Sequence, residues 1–289
     1  SVNPSLSIIY KLNYAWRFTA HASYKERYGE MTDLYDRPYQ TDYRNSVWNC
    51  GILPVYRQQL YSVYGEYKST AREFFATVNL THNREWYNRI YEQRIENGQV
   101  QRVSLPLSNH GSGYTVKSTL SKGFYDLGLK TSLMALLNIS KAEQISGGQR
   151  LPYQYRLMRL EPKVIWTPNR HWETSYQTDI RYGGNKIGER TRLAPLWNVT
   201  QQVQLSYIFS PIEASLSVDH YHNDVNEDQS VNAVFSVLWK SRRLQITATA
   251  TNLFDKRTYG YTRYASLESY TSWVRIRPRE FLVAIRYQL

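Results

Sequence analysis

His220 and His222 stand two residues apart, so on a strand both imidazoles share one face, a spacing that suits a metal pair. No clear third ligand lies near them. Cys50 is the single cysteine, which excludes a disulfide scaffold and a Cys-based zinc module. The loop that follows carries Asp224, Glu227 and Asp228. It lacks the glycine and the spacing of an EF-hand loop and reads as solvated charge. No GxSxG, HExxH, P-loop or GxGxxG pattern occurs, and no local grouping of Ser with His names a nucleophile. The expectation is a non-enzyme with no catalytic residue, no metal and no cofactor. Asn79-Leu-Thr, Asn138-Ile-Ser and Asn198-Val-Thr fall inside strand-like segments and carry no glycan meaning in a bacterial chain.

The elements that hold these residues show period two almost everywhere. In Trp16–Lys25, Trp16, Phe18, Ala20, Ala22 and Tyr24 oppose Arg17, Thr19, His21, Ser23 and Lys25. In Trp172–Tyr182, Trp172, Tyr176, Ile180 and Tyr182 oppose Glu173, Gln177, Asp179 and Arg181. Val199–Phe209, Leu244–Thr251 and Phe281–Leu289 repeat the pattern. In 153–167 the apolar positions change parity, which predicts a bulge between Leu157 and Leu160. The segments run to about 9–16 residues, against about 5–6 for an average strand and about 9–11 for a strand crossing a bilayer at a tilt.

The connections alternate in length. Tight links are expected at Asn13–Ala15, Thr70–Arg72, Asp126–Gly128, Pro168–His171, Ser210–Ile212 and Ser241–Arg243. Long links are expected near 26–54, 91–113, 142–152, 184–193, 223–229 and 254–268. Tight turns on one side and long loops on the other are the pattern of an outer-membrane barrel, with the turns periplasmic and the loops extracellular. The fold class is therefore all-β, a transmembrane antiparallel up-and-down β-barrel, forming a single domain over 1–289. About thirteen strands are expected, the last covering 269–289. Bacterial single-chain barrels have even strand numbers, so the odd count, with no signal segment before Ser1, points to the C-terminal part of a longer chain or to a count off by one.

The composition fits this class. The chain has 289 residues, 42% hydrophobic content and a mean hydropathy of −0.59, and no apolar run long enough for a membrane helix. Aromatics make up 15%, with 26 tyrosines. Tyr10, Trp16, Tyr24, Trp166, Trp172, Tyr182, Tyr207, Trp239 and Tyr287 sit where an interfacial girdle would place them. Lys plus Arg is 36 against 24 Asp plus Glu, a net charge of +12. The cations are scattered over loops and strand faces, with no basic helix or arm, so nucleic acid is not expected as a partner. Basic residues near a barrel rim pair instead with lipopolysaccharide phosphates.

The C-terminal stretch carries a family resemblance. Asn252, Leu253, Phe254, Asp255, Lys256 and Arg257, then a loop, then Arg277, Arg279 and Phe281 leading to a terminal alternating strand, resemble the end of TonB-dependent outer-membrane transporters. The segment from Pro4 to Tyr35 more weakly resembles a hairpin and long loop of receptors of Bacteroidetes type. Strong motif identity covers about the last 40 residues, and Leu289 stands where the family usually has Phe. The resemblance implies a 22-stranded barrel of which this chain is the C-terminal part, with the N-terminal plug domain and TonB box absent here. It further implies outer-membrane localisation and active import of a nutrient ligand driven through TonB.

The partners so implied are outer-membrane lipid and lipopolysaccharide, the plug domain and remaining strands, TonB, the barrel-assembly machinery and, for a glycan or peptide cargo, a surface lipoprotein. Candidate ligand contacts at the mouth are Arg181, Asp179, Asp219 and Tyr221 at strand ends, with Trp48, Trp86 and Tyr87 on long loops. Salt bridging to the plug is an equal alternative for the charged positions. Phe281, Val283, Ile285, Tyr287 and Leu289 form the alternating apolar row expected to serve as the assembly signal. A passive porin or an adhesion barrel is the alternative function, and a soluble carbohydrate-binding β protein a third.

Overall fold

A computed structural model describes residues 2–96, 98–188, 191–192, 195–224, 230–264 and 269–288. The chain opens with β1 (Ser5–Lys11) and β2 (Trp16–Tyr28), then a link holding a 3-10 turn (Met31–Leu34), β3 (Tyr39–Gln40) and β4 (Asn45–Trp48). β5 (Val55–Ser69) and β6 (Phe74–Tyr87) precede a second link built as β7 (Ile90–Glu96) and β8 (Gln99–Leu105). β9 (Asn109–Phe124), a 3-10 turn (Tyr125–Leu127), β10 (Leu129–Ser146), β11 (Gln149–Asn169) and β12 (Trp172–Ile187) follow. After β13 (Thr191–Arg192) come β14 (Leu196–Phe209), β15 (Ile212–Asn223), β16 (Ser230–Lys240) and β17 (Leu244–Thr251). β18 (Thr258–Tyr264), β19 (Ser269–Arg275) and β20 (Glu280–Tyr287) complete it. No α-helix occurs among the described residues.

Thirteen long strands pair in sequence as one antiparallel meander: β1, β2, β5, β6, β9, β10, β11, β12, β14, β15, β16, β17 and β20. The expected number and order hold. Among the described residues β1 pairs with β2 alone and β20 with β17 alone, so both ends of the sheet carry open edges. Both edge strands are exposed along their whole length.

The register sorts the side chains into two faces. All nine expected girdle aromatics fall on one of them, together with Phe18, Val63, Leu80, Val116, Leu133, Leu160, Val203, Leu216 and Phe235. The other face carries Thr, Asn, Gln, Ser and most of the charge. Near the short turns the apolar face is edged by paired rings, Trp16 on Tyr67 and Trp172 on Tyr207, each at 4.7 Å. Tyr182 on Trp197, also 4.7 Å, marks the opposite edge. An apolar band bounded by aromatics is what a strand wall needs to sit in a bilayer, where every backbone group must be paired within the sheet.

Four expectations change. The pairing of β11 with β10 and β12 is continuous through 153–160, and its one irregularity lies between Trp166 and Asn169. No bulge separates Leu157 from Leu160. Tyr153, Tyr155 and Leu157 instead share the polar face with Arg159, where loop β-structure covers that end of the wall. The link expected near 142–152 shrinks to Gly147-Gly148, both at positive φ (57° and 75°), since β10 and β11 continue to the turn as 18- and 21-residue strands. Two left-handed residues suit a two-residue hairpin, and glycine adopts them freely. The link near 91–113 contains the β7–β8 hairpin. The strand expected over 269–289 divides: β19 pairs with β18 in a separate two-stranded sheet, and only β20 joins the wall. Pro278, which has no N–H to donate, stands in the break.

Candidate functional site

The charged candidates on β12 meet a partner on β11. Asp179 accepts from Arg181 Nε and Nη2 (3.0 and 2.6 Å to Oδ2) and from Arg159 Nε and Nη2 (3.0 Å each). Arg159 also pairs with Glu161. Two guanidiniums and two carboxylates thus balance in one polar-face patch. The register lays Arg159, Arg181, Asn198 and Asn223 in one cross-strand row and Asp179, Thr200, Tyr221 and Ser230 in the next. Tyr221 donates to Asn198 Oδ1 at 2.7 Å and accepts from Asn223 Nδ2 at 3.1 Å. Arg181 and Asp179 are therefore joined with Arg159 in one network, Tyr221 with Asn198 and Asn223 in a second beside it, and Asp219, opposite Gln202, lies further along the same face. Arg159 is the member that reading the sequence missed. It lies 20 positions from Asp179, and only the pairing register brings them together.

The loop structure at the long-link end forms a second group. β4 runs parallel to β8, β8 pairs with β7, and β7 touches the end of β10. This layer and the polar face enclose a cavity of about 680 Å³ lined by Tyr87, Tyr91, Tyr153, Arg89, Arg102 and Glu92 among others. That size suits a small-molecule ligand. Arg102 stacks over Tyr91 at 3.7 Å and Arg89 over the same ring at 5.0 Å. Burial pushes the Tyr91 hydroxyl above its ordinary pKa against the pull of both arginines, so it stays a neutral donor. Arg89 also anchors Asp33 of the first long link at 2.8 Å. Burial tends to raise the Asp33 carboxyl, but Arg89 and the Glu30 N–H outweigh it and hold it below its ordinary value. Beneath the cavity Glu85 accepts from Tyr87 (2.7 Å), Asn83 (2.8 Å), Gln58 (3.0 Å) and Tyr56 (3.1 Å). Tyr91, Tyr153, Arg89 and Arg102 were not expected site residues. The Asn97-Gly98 dipeptide between two alternating runs was the available signal for the hairpin that carries two of them.

The remaining candidates separate. Trp86 and Tyr87 end β6 rather than lying on a loop, because the pairing with β5 and β9 continues to Tyr87. Trp86 points to the apolar face and Tyr87 to the polar one. Trp48 donates from Nε1 to Asp36 at 3.0 Å and ties the first long link together. His220 and His222 share the apolar face, and no metal-ligating cluster occurs among the described residues. Glu227 and Asp228 lie outside the described residues. Phe281, Val283, Ile285 and Tyr287 face the apolar side opposite Ala250, Ala248, Ile246 and Leu244, and Leu289 lies outside the described residues.

The 252–257 motif has a structural job. Asn252, at φ 51° and 5% exposed, donates to the carbonyls of Lys256 (2.7 Å) and Arg277 (2.8 Å) and accepts from the Lys256 N–H (3.0 Å). Asp255, also at φ 51°, accepts from the Arg279 N–H and from Arg257 Nη2, each at 3.0 Å. The two side chains clasp the ends of the last long link. Asn and Asp tolerate the left-handed region and bond nearby backbone, which explains their use here.

No protein-family model matches the sequence, and no curated protein does. Among solved structures, the ferric yersiniabactin uptake receptor FyuA of Yersinia pestis matches 99% of this chain with 50% of its own, at 7% identity and a TM-score of 0.51. BauA, the ferric preacinetobactin receptor of Acinetobacter baumannii, matches 86% with 44% of its own, at 8% identity and 0.48. The translocator domain of the autotransporter NalP of Neisseria meningitidis matches 96% with 89% of its own, at 11% identity and 0.30. The chain spans about half the length of the two receptors. At such identities the FyuA match shows the fold, an antiparallel wall of outer-membrane barrel type.

Proposed function

We propose that this chain is part of the wall of an outer-membrane barrel that imports a nutrient ligand, belonging to a larger barrel of TonB-dependent type. The two-faced wall carries the reading: thirteen strands with one apolar, aromatic-edged face and one polar face. The open edges at β1 and β20 support a larger assembly, since the bilayer offers unpaired backbone nothing to bond. The Asn252–Arg257 clasp and the likeness to the ferric yersiniabactin uptake receptor favour the TonB-dependent type. In that reading the polar face meets a plug, the plug meets TonB, and the β20 row is offered to the assembly machinery. The cavity under β7–β8 supplies ligand contacts through its tyrosines and arginines. A surface lipoprotein lid fits if the cargo is a glycan or a peptide.

Conductance separates import from the passive alternative. Protein extracted from outer membranes and placed in a planar bilayer should show no steady open pore, because a plug occupies the lumen. A constant ohmic conductance from every inserted molecule would favour a passive porin and sink the importer.

A further inference from the structure

The cavity under the loop layer holds one cation that no carboxylate of the chain neutralises. In the register of β4, β8 and β7, Val47, Arg102 and Gln93 share a cross-strand row, and Tyr91 lies on the diagonal from Arg102. All four line the cavity. The Arg102 guanidinium carbon sits 3.7 Å from the centre of the Tyr91 ring. At that distance the ring holds the guanidinium by its face and leaves the N–H groups at its edge free to donate. Arg102 makes no ion pair among the described residues.

The other charges of the lining are engaged. Asp42 turns back into its own loop and accepts from the N–H groups of Arg44 (2.8 Å) and Asn45 (2.9 Å). Glu92 accepts from Arg94 Nε at 2.9 Å and Nη2 at 2.7 Å. Glu143 is held by Arg150 at 3.2 Å, and Arg89 by Asp33 at 2.8 Å. Tyr87 donates to Glu85, whereas the Tyr91 and Tyr153 hydroxyls have no hydrogen-bond partner among the described residues. One guanidinium fork and two phenolic hydroxyls are therefore left over in one cavity, with Ser46 and Gln144 beside them.

Those leftovers specify a ligand. A carboxylate meets the fork with two parallel N–H···O bonds. A neutral ligand would cover the guanidinium edge and leave its donors unmatched. A phosphate dianion would bring a second negative charge beside Glu92 and Glu143 with no cation to meet it. The free hydroxyls and the polar lining suit a ring that carries hydroxyls of its own, and the tyrosine rings give it faces to pack on.

We propose that this cavity selects a sugar acid, a hydroxylated ring bearing one carboxylate. The carboxylate takes the Arg102 fork, and the Tyr91 and Tyr153 hydroxyls donate to the ring's oxygens. The inference rests on the reading above that the cavity contacts the cargo, and the two fail separately. A steadily conducting pore that still prefers the acid would sink the importer and keep the site. A plugged barrel with no such preference would do the reverse.

The test is isothermal titration calorimetry on the larger barrel that carries this wall, purified from outer membranes in detergent. The probes are trimers of glucuronate, galacturonate and mannuronate, the methyl ester of each, and protocatechuate as an aromatic acid. One or more of the three sugar acids should bind. The matching ester keeps every ring hydroxyl and loses the charge, so it should bind about tenfold to a hundredfold more weakly. Arg102→Gln should bring the acid down to the level of its ester. Arg102→Lys keeps the charge without the fork and should fall between the two. Tyr91→Phe keeps the ring under Arg102 and removes the hydroxyl, so acid and ester should weaken together, about fivefold. Heat-modifiable migration reads folding. If Arg102→Gln does not fold, Arg102→Lys and the acid-to-ester ratio of the wild type decide. Equal binding of acid and ester by the wild type overturns the site. So does the absence of binding by all three acids, or a wild-type acid-to-ester ratio in folded Arg102→Gln. Tighter binding of protocatechuate than of any sugar acid overturns the assignment to a sugar.

Discussion

Placing arginine along β16 reads both the face and the depth of the wall. Trp239, Val237 and Phe235 point to the apolar face, opposite Ile246, Ala248 and Ala250 of β17, while Ser236 points to the polar face opposite Thr249. Each residue advances about 2.6 Å along the membrane normal for a strand rising about 3.4 Å at a tilt near 40°. With Trp239 at the girdle of a band about 25 Å tall, Val237 lies about 7 Å from the midplane and Phe235 about 2 Å. Val237→Arg should therefore cost about 1–2 kcal/mol, and Phe235→Arg about 2–4 kcal/mol. Ser236→Arg should cost under about 1 kcal/mol, because it breaks only the 3.2 Å hydroxyl contact with Thr249 Oγ1 and enters a polar interior. Urea midpoints for folding into lipid bilayers give the three values. A cost for Ser236→Arg equal to that for Phe235→Arg, or no rise from 237 to 235, would refute the assignment of faces.

The clasp gives a second prediction. Asn252→Ala loses three hydrogen bonds and leaves a β-carbon residue at φ 51° without them, so stability should fall by about 2–4 kcal/mol. Asn252→Gly should fall by about 1 kcal/mol less, seen as a smaller drop in unfolding midpoint. Asp179→Asn removes the negative charge and one of the two acceptor oxygens between Arg159 and Arg181, and the two like charges left facing each other should lower stability by about 2 kcal/mol, read from the urea unfolding midpoint. In the first long link Asp33 titrates below its unfolded value, so its bond to Arg89 stabilises fully above about pH 4. Protease protection of Met31–Leu34 should hold from pH 8 to pH 5 and fall only below about pH 4. Asp33→Asn should abolish that step. In the larger barrel that carries this wall, deleting Tyr287–Leu289 should remove the heat-modifiable folded form and leave the protein in the periplasm, seen by fractionation.

Period two made the wall legible. Trp172 to Tyr182 assigns its own two faces, and the structure keeps them. Tight turns such as Asn13–Ala15 were legible because Asn13 Oδ1 accepts from Ala15 and Trp16 N–H groups, a local device visible as a residue type. Pairing across the sheet was not legible. Nothing local to Asp179 announces Arg159, and nothing local to Tyr91 announces Arg102. Loop β-structure also escaped, because β7 and β8 gain stability from the wall beneath them rather than from their own short pattern. The split at Pro278 was written in the sequence, but alternation on both sides of it suggested one strand.

The central claim is that the open edges at β1 and β20 are closed by further strands of a larger barrel. Residues 1–289, exported to the outer membrane behind an added signal peptide, test it on an unheated gel. The claim predicts one band position, heated or not, and degradation in the periplasm. A heat-modifiable monomer that folds in detergent from these residues alone would mean that β1 and β20 pair directly in a complete small barrel, and would contradict it.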